Sequence, residues 1–355
     1  MKERVEKVRA VLGDNEAALI TSGANRFYLT GFASSAGAVL VTRHGAYFII
    51  DFRYEEKARA TVTSAQVILQ KAPAAQIAEL MAKDGATVLY VETGSMSMAS
   101  FAAWKKNLPD VLLASDGKID TALNEARAIK SADEVANMRV AQEMTDETFS
   151  YIAERISAGR TEREVMLDME FYMRRLGSEG VSFDFIVVSG KNSSLPHGVP
   201  TDKQIERGDF VTMDFGAVYR GYRSDMTRTV AVSTVSDEQK KVYETVLAAQ
   251  AASLAAMREG AICRDVDAAA RDLINAAGYE GCFGHGLGHS VGIEIHESPA
   301  CNPRCEEPLR AGMIMTAEPG IYLENKFGVR IEDMVLITKD GYENLTKSEK
   351  KLLIV

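Results

Sequence analysis

The sequence predicts two domains: a small α/β domain with a mixed sheet over residues 1–124, and an α+β domain over 125–355 built as an internal repeat with a pseudo-twofold. Three observations carry that prediction. Short β-like runs alternate with helical ones through the first 120 or so residues, the pattern of a mostly buried sheet covered by helices. In the second half, two stretches each set a pair of carboxylates on a hairpin, Asp214 with Asp225 and Glu318 with Glu332. Each stretch follows a helical pattern that opens on a similar segment, 159–165 and 260–266.

The repeat reads residue by residue. Arg207–Gly216 (RGDFVTMDFG) lines up with Ala311–Gly320 (AGMIMTAEPG), so Glu318 falls on Asp214. Gly221–Asp225 (GYRSD) lines up with Gly328–Glu332 (GVRIE), so Glu332 falls on Asp225. A turn centred near Tyr219 and Arg220 would set Asp214 and Asp225 about opposite each other, close enough to share a ligand. The expectation is four carboxylates converging at the centre of the repeat.

The elements follow in order. Residues 1 to about 14 read as a charged helix, Ala17–Ile20 as a strand, and Asn25–Phe32 as a polar turn entering an aromatic stretch. Gly37–Thr42 and Ala46–Asp51 are strands about an Arg43-His44-Gly45 turn, and Arg53–Ala60 begins a helix. Val67–Gln70, a helix over Ala74–Asp84, Thr87–Val91 and an Ala-rich helix around Ser97–Lys106 continue the alternation. This region holds one histidine and no carboxylate constellation, so it reads as a scaffold or lid. Lys118–Lys130 reads as the connector. Ser131 to Glu134 has the spacing of a capping box opening a helix through Glu154, and Thr161 to Glu164 repeats it before a helix to Leu176. The strand Phe183–Ser189 leads into a loop of turn formers, Gly190–Gly198, that presents His197. Helices over Asp237–Arg258 and Arg264–Ala277, a His-rich loop and the second hairpin complete the chain.

Composition narrows the function. The chain of 355 residues is 46% apolar and 26% charged, ordinary for a soluble globular enzyme. Its 41 basic and 50 acidic residues leave a net charge of −9 with no basic run, which argues against nucleic acid as a partner. No stretch reaches the ~18 apolar residues of a membrane span, and the first 20 residues lack an apolar signal core, so a cytoplasmic location is expected. Cys263, Cys282, Cys301 and Cys305 are not spaced in CxxC pairs, which indicates neither a disulfide framework nor a zinc ribbon.

Four of the five histidines, His197, His285, His289 and His296, fall near the carboxylates. His285 and His289 have the spacing of helical zinc ligands, but Gly284, Gly286 and Gly288 would each weaken a helix by up to ~1 kcal/mol. The segment is therefore expected to enter a strand, Val291–His296, with His289 at its head. Two Asp, two Glu and one His form a set of hard oxygens plus one imidazole, suited to Mn²⁺, Co²⁺ or Fe²⁺ more than to a structural zinc ion. Four carboxylates carry enough charge for two divalent ions about 3.5 Å apart. Glu318 follows an apolar strand, Met313–Ala317, where an unpaired carboxylate is costly.

At these residues the chain resembles the metallopeptidase family that includes methionine aminopeptidase, aminopeptidase P and prolidase, with the pita-bread fold. MDFGAVYRGYRSDMTRT, GHSVGIEIHE, MTAEPGIY and GVRIEDM resemble its motifs in order and spacing over roughly residues 125–355. FYLTGF and FIIDFRYEEKA resemble the creatinase-like N-terminal domain of its proline-directed members. The resemblance implies that Asp214, Asp225, His289, Glu318 and Glu332 bind two divalent ions, Mn²⁺ or Co²⁺ first and Zn²⁺ or Fe²⁺ next. Asp225 and Glu332 would bridge them. Glu318 would also act as general base toward a bridging hydroxide, while His197 and His296 steady the scissile carbonyl and the tetrahedral gem-diolate. His285 matches a position near the site that is not a ligand. Tyr322 and Arg330 match positions bordering a proline pocket, or equally serve as a packed tyrosine and an arginine that orients Asp214.

The implied activity is hydrolysis of the bond before proline in small peptides, by an Xaa-Pro dipeptidase of the prolidase kind or by an aminopeptidase P acting on longer peptides. A dipeptidase needs a cation for the free carboxylate, for which Arg304 in NPRC is the candidate, and the compact N-terminal domain leans toward it. A homodimer is also implied, with a lid from the partner. A creatinase-like hydrolase or a non-catalytic pita-bread binding module would have lost ligands or histidines that are all present here.

Overall fold

The computed structural model describes residues 1–355, which group into two compact units, Met1–Arg127 and Ala128–Val355. No helix is long and apolar enough to cross a membrane.

The first unit runs α1 (Lys2–Arg9), β1 (Glu16–Ile20), α2 (Gly23–Thr30), β2 (Ala38–Thr42), β3 (Ala46–Ile50), α3 (Phe52–Thr61), β4 (Gln66–Leu69), α4 (Pro73–Lys83), β5 (Val88–Val91), α5 (Met98–Asn107), β6 (Leu112–Ala114) and α6 (Lys118–Ala128). Its sheet is mixed, in the order β4-β3-β2-β1-β5-β6, with β2 antiparallel to both neighbours and the other pairs parallel. Leu19, Leu40 and Ile49 are buried in an apolar core with Ile77 and Met81 of α4. The apolar runs of β1 to β3 are buried with little alternation, as strands covered on both faces must be.

Two expectations fail here. Asn25–Phe32 is mostly helix α2 and not a turn. Ser22 accepts from the Asn25 amide, Gly31 closes the helix at φ 69°, and the buried Glu92 carboxylate receives the Thr21 and Ser22 amides at 2.5 and 2.8 Å. Lys118–Lys130, expected as a connector, is largely helix α6.

The second unit is built twice over. Its first half is α7 (Ala132–Ala153), α8 (Glu162–Arg175), β7 (Ile186–Ser189), β8 (Phe210–Phe215), the short pair β9 (Val218–Tyr219) and β10 (Tyr222–Arg223), and β11 (Met226–Ala231). The second is α9 (Asp237–Ala256), α10 (Cys263–Ile274), β12 (Gly288–Ser290), β13 (Glu297–Cys301), β14 (Ile314–Ala317), the pair β15 (Gly320–Leu323) and β16 (Phe327–Arg330), β17 (Asp333–Ile337) and β18 (Tyr342–Asn344). The sheets run β11-β8-β7 and β13-β12-β14-β17-β18. Within the second, β12-β14-β17 repeats the order β7-β8-β11, and β15-β16 repeats the hairpin β9-β10. Capping boxes at Ser131/Glu134 and Thr161/Glu164 start α7 and α8, and a third at Ser236/Gln239 starts α9.

Each half packs its helices on its own sheet. Met169 and Phe149 meet Phe215 and Val230 in one core, and Val246 and Val266 meet Met315 and Val335 in the other. Arg228, 1% exposed, ties the centre together. Its guanidinium donates to the Thr227 and Glu332 carbonyls and, at 2.9 Å, to Asp333 Oδ1, fastening β11 to β17 beside the carboxylates.

The expected strand Val291–His296 does not form. β12 ends at Ser290 after a register irregularity, and the backbone that follows is satisfied elsewhere: Arg223 N donates to the Gly292 carbonyl and Ile293 N to Glu297 Oε1.

Candidate metal centre

The first hairpin turns at Arg220 and Gly221, both at positive φ (49° and 77°), the two-residue turn that suits a twisted ribbon. Tyr219 pairs with Tyr222 and Asp214 with Thr227. Asp225 therefore lies across from Gly216, diagonal to Asp214 rather than opposite it, a correction of two residues. Diagonal neighbours share a face, so both carboxylates still point the same way. Gly216 is required where the strands close: a Cβ there would lie 1.9 Å from the Ser224 carbonyl oxygen.

In the second hairpin Ala317 pairs with Asp333 and Gly320 with Arg330. The register carried between these pairs sets Glu318 across from Glu332. Acceptor oxygens of Asp214, Asp225 and Glu332 all lie within 4.8 Å of one another. His289 Nε2 is 3.4 Å from Glu318 Oε1 and 3.6 Å from Asp225 Oδ2. The five residues expected as ligands thus meet in one place.

Their hydrogen bonding shows what the place suits. Asp214 Oδ2 accepts from Arg330 at 2.6 Å and Glu332 Oε2 from Thr227 at 2.7 Å. The other oxygens, Asp214 Oδ1 and Glu332 Oε1, are buried with no partner. A buried carboxylate oxygen left unpaired is costly, and here two do so within a cluster of like charges. Oxygen donors with one imidazole nitrogen fit a divalent cation.

The family comparisons agree with this chemistry. A model of metallopeptidase family M24 matches residues 136–339, and one of the creatinase/prolidase N-terminal domain matches residues 4–129. The chain belongs to metallopeptidase family M24. It joins a creatinase-type N-terminal domain to the family's pita-bread domain. The Xaa-Pro dipeptidase of Pyrococcus furiosus is 37% identical over 357 residues, covering 99% of this chain and 100% of that protein. The solved Xaa-Pro dipeptidase of Bacillus anthracis superposes with a TM-score of 0.95 at 38% identity over 99% of each chain. The X-Pro aminopeptidase of Thermotoga maritima does so with a TM-score of 0.91 at 34% identity, over 98% of this chain and 100% of that one.

The M24 cluster opens onto a cavity of about 1000 Å³. His197, His285, His289, His296 and Arg330 line it together with the four carboxylates. The His296 ring meets that of His289 edge-on, centroids 4.5 Å apart. Tyr322 is not on the wall. It stands behind Arg330, accepting from that guanidinium at 2.9 Å and bonding His285 Nε2 at 2.9 Å. Arg330 donates to both Tyr322 and Asp214, so it orients an acidic residue while presenting part of itself to the cavity. Arg304 stays exposed in the turn after β13 and does not line the cavity of this chain.

Two residues escaped the sequence reading. Thr227 holds Glu332, and Thr316 donates to Glu318 Oε1 at 3.2 Å while receiving the His289 amide at 3.0 Å. Both stand two positions after or before a cluster carboxylate in a strand, hence on the same face. That period was the available signal.

Burial is the first cause of the electrostatics. It pushes Glu318 up to about 8 and, with Glu332, Asp214 and Glu318 as neighbouring charges, holds Asp225 well above the usual aspartate range. Glu332 is raised in the same way. Burial and the nearby His296 push His289 down to about 4, so its imidazole is neutral and free to donate a lone pair. A carboxyl group raised on folding binds its proton more tightly in the folded chain. Its stabilising contribution is complete below the unfolded value of ~4.3 and is lost as pH rises toward about 8 for Glu318. The metal-free protein is therefore expected to lose melting temperature between pH 5 and 8, and divalent metal to restore it with release of protons. Calorimetric titration in buffers of different ionisation enthalpy reads that release; buffer-independent heats would contradict it.

Proposed function

We propose that this chain hydrolyses the peptide bond before proline in short peptides, as a dinuclear, metal-dependent Xaa-Pro dipeptidase. The observation that carries the reading is the convergence of Asp214, Asp225, His289, Glu318 and Glu332 on the cavity, with two buried carboxylate oxygens unpaired. Those five residues would hold two divalent ions. The oxygen-rich set suits Mn²⁺, Co²⁺ or Fe²⁺ more than Zn²⁺, and the family resemblance puts Mn²⁺ or Co²⁺ first. When bound, the ions supply a nucleophilic water at neutral pH and polarisation of the substrate carbonyl.

The protein's own groups do the rest. Glu318, on the cavity wall with Oε1 3.4 Å from His289 Nε2, would accept the proton that the attacking water loses. His197 and His296 stand on the cavity wall and donate to the carbonyl oxygen as charge develops there. Arg330 keeps Asp214 aligned, and Tyr322 keeps Arg330 aligned. A proline ring presents no N–H and a fixed backbone angle, which a shaped wall can select.

The full-length likeness to Xaa-Pro dipeptidases supports the dipeptide as substrate. A longer-peptide enzyme is the second reading, favoured by the exposure of Arg304 away from the cavity, which leaves that cation unavailable to a free carboxylate. We also place the protein in the cytoplasm as a homodimer; four free cysteines suit a reducing compartment, and light scattering reads the mass. Chelator-stripped protein with Mn²⁺, Co²⁺ or Zn²⁺ added back should cleave Ala-Pro in preference to Ala-Pro-Ala. Preference for the tripeptide would establish the second reading, and failure on both with metal bound would overturn proline specificity.

A further inference from the structure

A buried ion pair adjoins the centre, and none of the roles above uses it. Lys130 Nζ and Glu297 Oε2 are 3.2 Å apart, with side chains 2% and 6% exposed. Lys130 Nζ also donates to Ser290 Oγ at 3.0 Å, beside His289. Desolvating two charges is expensive, and apolar filling of the same space is often no less stable. A pair kept here is suited to fixing a conformation.

The conformation it reaches is that of residues 291–296, the stretch that fails to become a strand. Glu297 Oε1 accepts from Ile293 N at 2.9 Å and Glu294 N at 3.2 Å, so the chain wraps around a carboxylate just ahead of it in sequence. Gly292 permits that wrap, since a Cβ there would lie 2.5 Å from both carboxylate oxygens. From the other side Arg223 Nε donates to the Ile293 carbonyl at 3.0 Å and Arg223 N to the Gly292 carbonyl at 2.9 Å. His296 is the last residue of the wrapped segment, immediately before Glu297. Its ring has no hydrogen bond holding it to the cavity wall among those that fix its neighbours, so its position follows from the backbone.

We propose that the Lys130–Glu297 pair is the positioning device of His296. Lys130 holds the Glu297 carboxylate, the carboxylate holds the 291–296 backbone, and that backbone sets the imidazole at the substrate carbonyl. Lys130 touches no reacting atom, and the inference rests on the role given to His296 above.

The test is a cycle of Lys130→Met, His296→Ala and the double variant, each metal-loaded, with kcat, KM on Ala-Pro and metal stoichiometry measured. Lys130→Met should lower kcat about 10- to 100-fold, the usual effect of losing a residue that orients a site, at near wild-type KM and metal content. On the His296→Ala background it should cost less than about threefold, because the group it positions is gone. Equal losses on both backgrounds overturn the inference alone, as does loss of metal from Lys130→Met or an unchanged kcat. Full turnover by His296→Ala instead overturns the role of His296, and this inference with it. If Lys130→Met does not fold, Glu297→Gln keeps the acceptor and removes the charge, and goes through the same cycle.

Discussion

Asp225→Asn should lower kcat by at least about three orders of magnitude while leaving the metal-free protein no less stable than the native chain, and above pH 6 more stable. The activity loss follows from removing one anionic oxygen donor from the set that would hold the divalent ions on which the proposed hydrolysis depends. The stability gain follows from the sign of the native electrostatics. Burial first, and then Glu332, Asp214 and Glu318, raise the Asp225 pKa. Folding without metal therefore obliges Asp225 to take up a proton, or at higher pH to stay ionised against burial and its neighbours, a penalty that grows once pH exceeds the ~3.9 of an exposed aspartate. Asparagine removes one charge from the cluster and leaves its packing alone. Added Mn²⁺ should raise the native melting temperature and leave that of the variant little changed. His289→Ala should match the activity loss. Near-normal turnover in either variant would end the dinuclear reading.

His296→Ala should reduce kcat by about 10²- to 10³-fold, the range for deleting one donor to a developing oxyanion, with both metal equivalents retained. The geometry separates it from its neighbour. His289 turns Nε2 toward Glu318 and Asp225 at 3.4 and 3.6 Å, whereas His296 is exposed on the cavity wall. KM should change less than kcat, because the contact strengthens as the carbonyl becomes tetrahedral. Elemental analysis decides the assignment: metal lost from His296→Ala would exchange the roles of the two histidines.

Much of this was readable before any coordinates. The capping boxes at Ser131 and Thr161 are local devices, written within four residues, and they start α7 and α8 as expected. The carboxylates survived an error in the turn. Moving its centre from Tyr219/Arg220 to Arg220/Gly221 shifts the pairing by two residues, and an even shift keeps every side chain on its face. What escaped depends on distant partners. Helix α2 is eight residues long and leans on Glu92, about seventy positions away. Residues 291–296 alternate like a strand, yet their backbone is taken by Glu297 and Arg223. Arg304 shows the limit of reading charge alone, since a cation near the motif in sequence stands outside the cavity in space.

The positive-φ turn at Arg220 and Gly221, and its counterpart where Asn325 adopts φ 58°, carry a constraint on how relatives of this chain can diverge. Either turn can change its residues freely as long as the new ones tolerate the left-handed region. Length is another matter. A single inserted residue must loop out or let the ladder slip by one, and a slip by one turns a whole strand over, sending a carboxylate into the apolar core and a core side chain into the cavity. An odd change in length at these tips is therefore expected only where the added residue loops out, as in the three-residue tip between Leu323 and Phe327 beside the two-residue tip between Tyr219 and Tyr222.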